Sequence, residues 1–232
     1  MSNIDWFNFE DKDLDFPFYK KNPHVPKWGW IVLFILMIIG LFLSMGSKIH
    51  LTIISCIIVV VPVLYFLKWD YKAIFQKLSR KDVALAFALF IGYIIYINIM
   101  DSVLGMFGLV PANLGGQQIT VMTFLSLPFS LMTEEIIKFI PFMFFLRVVY
   151  KYSENRKLSI ILSMIVTMIF FAFLHGFTLK LFLFTIWIQG LGSIFEFIGY
   201  IKTKNILVSY LTHIFSDLFI YSIAILGPLL LP

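Results

Sequence analysis

The sequence predicts an all-α protein, a polytopic transmembrane bundle of seven to eight spans whose N-terminus lies in the cytoplasm. Hydrophobic residues make up 60% of the chain and charged residues 13%, with a mean hydropathy of +0.94, whereas soluble domains carry about 25% charged residues. Apolar runs able to form membrane helices of about 20 residues recur from end to end of the 232 residues. Almost no chain is left for a soluble domain, so any chemistry has to be built between spans.

Residues 1–27, "MSNIDWFNFEDKDLDFPFYKKNPHVPK", are polar and aromatic and lack the basic start and short apolar stretch of a cleavable signal. They are expected to form a cytoplasmic tail. Its Trp6, Phe7, Phe9, Phe16, Phe18 and Tyr19 would either lie in the headgroup layer or belong to a disordered segment. Spans near 28–47, 51–67 and 83–100 follow, and with their loops they make a first unit, 28–118. Within it "WDYKAIFQKLSRKD" (69–82) fits either an interfacial helix, with basic residues between apolar ones, or an ordinary basic loop. The stretch 100–118 is the one sizeable connection rich in Gly and Pro. Spans near 119–146, 158–178, 181–199 and 206–231 form a second unit, 119–232. Its closing "AILGPLLLP" is compatible with one helix or with a helix and a short re-entrant piece.

Charge sets the orientation. Lys12, Lys20, Lys21 and Lys27 precede the first span, and Lys68, Lys72, Lys77, Arg80 and Lys81 separate the second from the third. Arg147, Lys151, Arg156 and Lys157 follow the fourth, and Lys202 and Lys204 follow the sixth. Lys48 and Lys180 fall on the opposite side. Because Lys and Arg concentrate in cytoplasmic loops, this asymmetry puts the N-terminus inside. The net charge of +5 then matches anionic lipid headgroups as a partner and calls for no nucleic acid. The single cysteine, Cys56, sits in an apolar run with no base in view, which argues against thiol chemistry and excludes an internal disulfide.

A charge inside a span costs on the order of 2.5–3.5 kcal/mol on insertion scales, so each needs a partner or a task. The fourth span holds Glu134, Glu135 and Lys138, the fifth ends at His175, and the seventh carries His213 and Asp217. On a helix Glu134 and Lys138 share a face, Glu135 is turned about 100° from Glu134, and Lys138 can pair with either carboxylate. His213 and Asp217, like Phe171 and His175, are four residues apart and share a face. Glu196, in the sixth span near Lys202, reads as a helix–helix hydrogen bond at the inner interface. Asp101 and Lys180 stand at span ends, where the head group reaches water.

Such a set has three uses. A carboxylate beside an imidazole can take a proton from water, and a second histidine can stabilise the oxyanion formed when that water attacks a carbonyl. Two histidines and carboxylates can also hold zinc, although no HExxH pattern is present, so no metal or other cofactor is expected. Proton relay in a transporter is the third use, which the lack of repeated, Gly/Pro-broken spans disfavours.

"EEIIK" in the fourth span, "FAFLH" (Phe171 to His175) and "HIFSD" (His213 to Asp217) together resemble the three motifs of the CAAX-protease and bacteriocin-processing family. Those motifs are Glu-Glu-x-x-x-Arg, Phe-x-x-x-His and His-x-x-x-Asn/Asp, and the similarity covers roughly 119–220. The resemblance implies an intramembrane glutamic endopeptidase of the bacterial cytoplasmic membrane, with 119–232 as its catalytic core. It implies Glu134 as the base that activates water together with His175. His213 and Asp217 would line the oxyanion side, Glu135 would orient the site, and Lys138 and Phe171 would support it. The substrate would be a membrane-associated peptide or protein. Some relatives are described as bacteriocin-immunity proteins, so a self-immunity or interaction protein without required proteolysis is the alternative.

The family's arginine would fall on Phe139, and the nearest cation, Lys138, is one residue early. Lysine cannot reproduce a bidentate guanidinium contact. "EEIIK" resembles instead the Glu-Glu-x-x-Lys motif of PrsW-type proteases, while the histidine motifs fit the first family better. An ionised Asp217 would repel an oxyanion, so it is expected to orient His213 or to act as a neutral acid.

Overall fold

The computed structural model describes residues 25–45, 48–111 and 119–230, with side chains described as far as 225. The expected tail aromatics lie outside the described residues, as does most of the Gly-rich part of the 100–118 connection. Among the described residues every regular element is a helix and none is a strand. In a bilayer a helix satisfies its own backbone polar groups, which is why apolar runs of this length adopt it.

The chain forms α1 (Lys27–Ser44), α2 (Ile49–Phe66), α3 (Arg80–Met106), α4 (Val121–Ser153), α5 (Arg156–His175), α6 (Leu179–Thr185), α7 (Ile194–Thr203) and α8 (Ile206–Leu230). A π-helical turn, Ile186–Gly190, and a 3₁₀ turn, Leu191–Ser193, join α6 to α7, so the expected sixth span is one continuous path with a rewound middle. Among the described residues six segments are long and apolar enough to cross a membrane: α1, α2, α3, α5, the composite Leu179–Thr203, and α8. The α4 helix is not among them, although its 33 residues make it the longest of the eight. Glu134, Glu135 and Lys138 lie near its middle, and at about 1.5 Å per residue it runs to about 50 Å, more than the roughly 30 Å of a hydrocarbon core.

α4 is the central post. It packs on α1, α2, α5 and α8, while α3 packs on α7 and α8. Its middle is buried almost all round, from Ile136 and Ile137 to Phe142 and Met143. On the outside, Phe87, Ile91, Ile95 and Ile99 of α3 are exposed at four-residue intervals, a stripe suited to lipid. The last helix continues to Leu230 as a single element, which decides between the two readings of the closing segment.

Segment 69–82 is a connection and not an interfacial helix: a single 3₁₀ turn, Tyr71–Ala73, precedes non-helical chain up to α3. Its backbone is committed elsewhere. Ile206 N–H donates to Ile74 O at 2.8 Å. Asn205 Oδ1 accepts from Gln76 N–H at 3.1 Å, and Asn205 Nδ2 donates to Gln76 O at 3.0 Å. This clasp is available because Lys204 takes a left-handed φ of 56°, ending α7 and turning the chain sharply into α8.

Candidate functional site

Four elements deliver the ionisable residues to one place in the bundle. α4 brings Glu134, Glu135 and Lys138, α5 brings Phe171 and His175, α7 brings Glu196, and α8 brings His213 and Asp217. The side chains separate into a buried layer and a layer that lines an open cleft, and His213 belongs to both.

Glu135, Lys138 and Glu196 make up the buried layer, each less than a tenth exposed. Lys138 Nζ donates to Glu135 Oε1 at 2.5 Å and also to Glu196 Oε2. Ser209 Oγ donates to the other oxygen of Glu135. One ammonium therefore holds together carboxylates from two helices, Glu135 of α4 and Glu196 of α7. Without it, two like charges would face each other where water cannot screen them. The ammonium also lies 4.9 Å from the centre of the Phe171 ring, whose face attracts a cation.

His213 is the link. Its Nδ1 is 2.8 Å from Glu135 Oε1 and 3.6 Å from Glu196 Oε1. A carboxylate accepts, so Nδ1 carries the proton of the bond to Glu135, and Nε2 is turned to the cleft. There Nε2 stands 3.9 Å from Glu134 Oε2 and 3.9 Å from Asp217 Oδ1. Those separations are too long for direct hydrogen bonds, and each is a gap that a water or a substrate oxygen can bridge.

The cleft has a volume of about 770 Å³, within the range of small-molecule and cofactor sites. Glu134, His175, His213 and Asp217 line it, and Glu134 and Asp217 are 28% and 24% exposed at their side chains. His175 Nδ1 lies 2.9 Å from Phe171 O. A carbonyl can only accept, so Nδ1 is the donor, and the lone pair of a neutral His175 is on Nε2, free to take a proton. The Phe171 ring meets the His175 ring edge-on at 4.6 Å, which fixes the imidazole further.

Every expected site residue lies at this one site, where Lys138 takes Glu135, one of the two carboxylates open to it, and gains Glu196 as a second partner. No ion pair joins it to Glu134 among the described residues. Glu196 does make a helix–helix hydrogen bond, as expected, but its partner is Lys138 of α4, which makes it a member of the buried layer.

Glu135, Glu196 and His213 also have the donor types and spacing of a metal site, with ligand atoms within 4.8 Å of one another. The hydrogen-bond pattern does not suit one. Lys138 donates to both carboxylates and His213 Nδ1–H donates to Glu135, so a cation and a proton already fill the positions a divalent ion would need.

A further cleft residue, Gln189, was not singled out by sequence. It stands in the π-helical turn, where Gly190 lets the backbone approach α5: a Cβ there would come within 2.9 Å of Met168 O. The Gln189 amide oxygen is buried and has no hydrogen-bond partner among the described residues. π-Helical turns of this kind are frequent at functional sites.

No protein-family model, curated protein or solved structure matches the chain. The assembled groups therefore speak for themselves: a multi-pass helical membrane protein with a buried ion-paired layer supporting a polar, acid- and imidazole-lined cleft.

Proposed function

We propose that this protein is a membrane-embedded endopeptidase that hydrolyses a peptide bond of a membrane-associated peptide or protein with water as the nucleophile. The observation that carries the reading is the orientation of the two imidazoles: each has Nδ1 committed to a fixed acceptor. Each is thus left with Nε2 for chemistry in a cleft that also holds Glu134 and Asp217.

In this mechanism Glu134 and His175 take the proton of a water, which attacks the carbonyl carbon of the scissile bond. His213 Nε2–H donates to the oxygen on which negative charge develops, as a protonated imidazole whose Nδ1–H is held by Glu135. A fixed carboxylate behind an imidazole orients it and stabilises its positive form. Asp217 steadies His213 from the cleft side, and Lys138 with Glu196 keeps Glu135 in place. The proton taken from water then passes to the leaving amine. The resemblance to the CAAX-protease and bacteriocin-processing family supports the same assignment of roles, and the bacterial cytoplasmic membrane is the setting it suggests.

The second reading, an immunity or interaction protein of the same fold, is favoured by one feature. Phe139 occupies the family's arginine position, and the neighbouring cation is spent on a buried ion pair. Membrane proteomics on cells carrying wild type, Glu134→Ala or His175→Ala at matched expression separates the two. Cleavage products that vanish in both variants and return on adding purified wild-type protein establish the peptidase. An unchanged peptide profile, with a protective phenotype kept in both variants, would instead establish the binding protein.

A further inference from the structure

The charge asymmetry of the loops and the position of the cleft, taken together, assign the cleft to one side of the membrane. The segments joining α2 to α3, α4 to α5 and α7 to α8 lie at one end of the bundle with the start of α1. That end carries Lys27, the five basic residues from Lys68 to Lys81, the four from Arg147 to Lys157, and Lys202 and Lys204. The opposite end carries Lys48 and Lys180. By the positive-inside rule the first end is cytoplasmic.

The cleft belongs to the second end. Its rim is built from Ser44 and Met45 at the end of α1, Asn98 and Asp101 in the last turns of α3, and His175 as the last residue of α5. No residue of the three basic connections lines it. Asn98, Asp101 and His175 are exposed, so the polar wall continues to the surface at that end.

Toward the cytoplasmic end the space narrows sharply. Below the ion-paired layer Phe139, Phe142, Phe197 and Tyr200 are each at most 5% exposed. Their rings interlock, Phe139 with Tyr200 at 5.6 Å and Phe142 with Phe197 at 5.2 Å. Beyond them the clasp of Ile74, Gln76 and Asn205 ties the α2–α3 connection across the α7–α8 turn. With Glu135, Lys138 and Glu196 the four rings line a cavity of only about 20 Å³, room for about one water molecule and far too small for an extended chain.

We propose that the cleft opens to the non-cytoplasmic face, and that water and substrate reach Glu134 and His175 from that side. Its substrate clause rests on the peptidase reading: the segment cut is a peptide chain exposed on, or leaving toward, the outer face. A C-terminal lipidated peptide displayed in the cytoplasm is then the wrong class of substrate.

The test is accessibility, which does not depend on cleavage. In a Cys56→Ser background, single variants Asp101→Cys (rim), Ile220→Cys (cleft wall) and Lys151→Cys (cytoplasmic end) are placed in sealed right-side-out spheroplasts and in inverted vesicles. Each is treated with a charged, membrane-impermeant thiol reagent. Asp101→Cys and Ile220→Cys are expected to react at least about tenfold faster in spheroplasts, and Lys151→Cys to react only in inverted vesicles. Reversal of all three overturns the orientation. Asp101→Cys reacting from outside while Ile220→Cys reacts only in inverted vesicles, or from neither side, overturns the cleft's opening. Outer-face labelling with no cleavage of any peptide would leave the opening standing and remove the peptidase reading alone.

Discussion

His213 Nδ1 stands 2.8 Å from Glu135 Oε1, and through that one bond a buried ion-paired layer controls an imidazole that faces an open cleft. Glu135 cannot move freely, because Lys138 and Ser209 hold both of its oxygens. The buried support and the cleft surface are thus different residues, and they can be separated by substitution.

Glu134 belongs to the reacting surface. It is 28% exposed and makes no direct hydrogen bond to His213 at 3.9 Å, so Glu134→Gln should leave the melting temperature in detergent unchanged within about 1 °C. Cleavage should fall by about 10²-fold or more, the usual worth of a general base. A variant with normal turnover would remove Glu134 from the mechanism.

Glu135 supports the site, and its loss should show in two readouts. Glu135→Gln can still accept from His213 but no longer balances Lys138, so both stability and cleavage are expected to fall. Neutralising the carboxylate behind a catalytic imidazole costs up to about 10⁴-fold in rate. Unaltered thermal unfolding together with full activity would show that the bond to His213 is idle.

Lys138 is the cation on which the buried layer depends. Lys138→Met removes the cation that Glu135 and Glu196 share and should destabilise by about 3–5 kcal/mol. Adding Glu196→Gln should recover part of that loss, giving a non-additive cycle with a coupling of about 1–3 kcal/mol. Strict additivity in thermal or denaturant unfolding would mean that the two side chains do not interact.

Asn205 holds the clasp at the α7–α8 turn through two hydrogen bonds to the Gln76 backbone. Asn205→Ala removes both of these bonds and is expected to cost about 1–3 kcal/mol. Hydrogen exchange at residues 74–78 should rise, while a fluorescent ligand in the cleft should bind as before. Protection that persists at Gln76 would argue that the turn holds without the side chain.

Chelation is expected to have no effect on cleavage, since Lys138 and the His213 proton fill the one carboxylate and imidazole cluster spaced for a metal among the described residues. Activity lost to a chelator and restored only by zinc would contradict that arrangement.

The sequence alone determined that this is a helical membrane protein, because run length and hydropathy report directly on what a bilayer will accept. It also picked out Glu134, Glu135, Lys138, His175, His213 and Asp217, since an ionisable group in a span is costly enough to stand out against its apolar surroundings. Neighbours on one helix were legible too: the i, i+4 spacing of Phe171 and His175 reappears as a ring contact, and that of His213 and Asp217 as a 3.9 Å approach. What remained hidden was everything that crosses between helices. Spacing along a helix fixes direction relative to that helix only, so whether Lys138 turned to Glu134, Glu135 or a distant Glu196 depended on how α4 and α7 are rotated against each other. The same holds for Glu196 itself, for Gln189 in its rewound turn, and for the clasp that replaced a possible interfacial helix at 69–82. Composition and period decide which segments enter the membrane; close packing between them decides which of their charges meet.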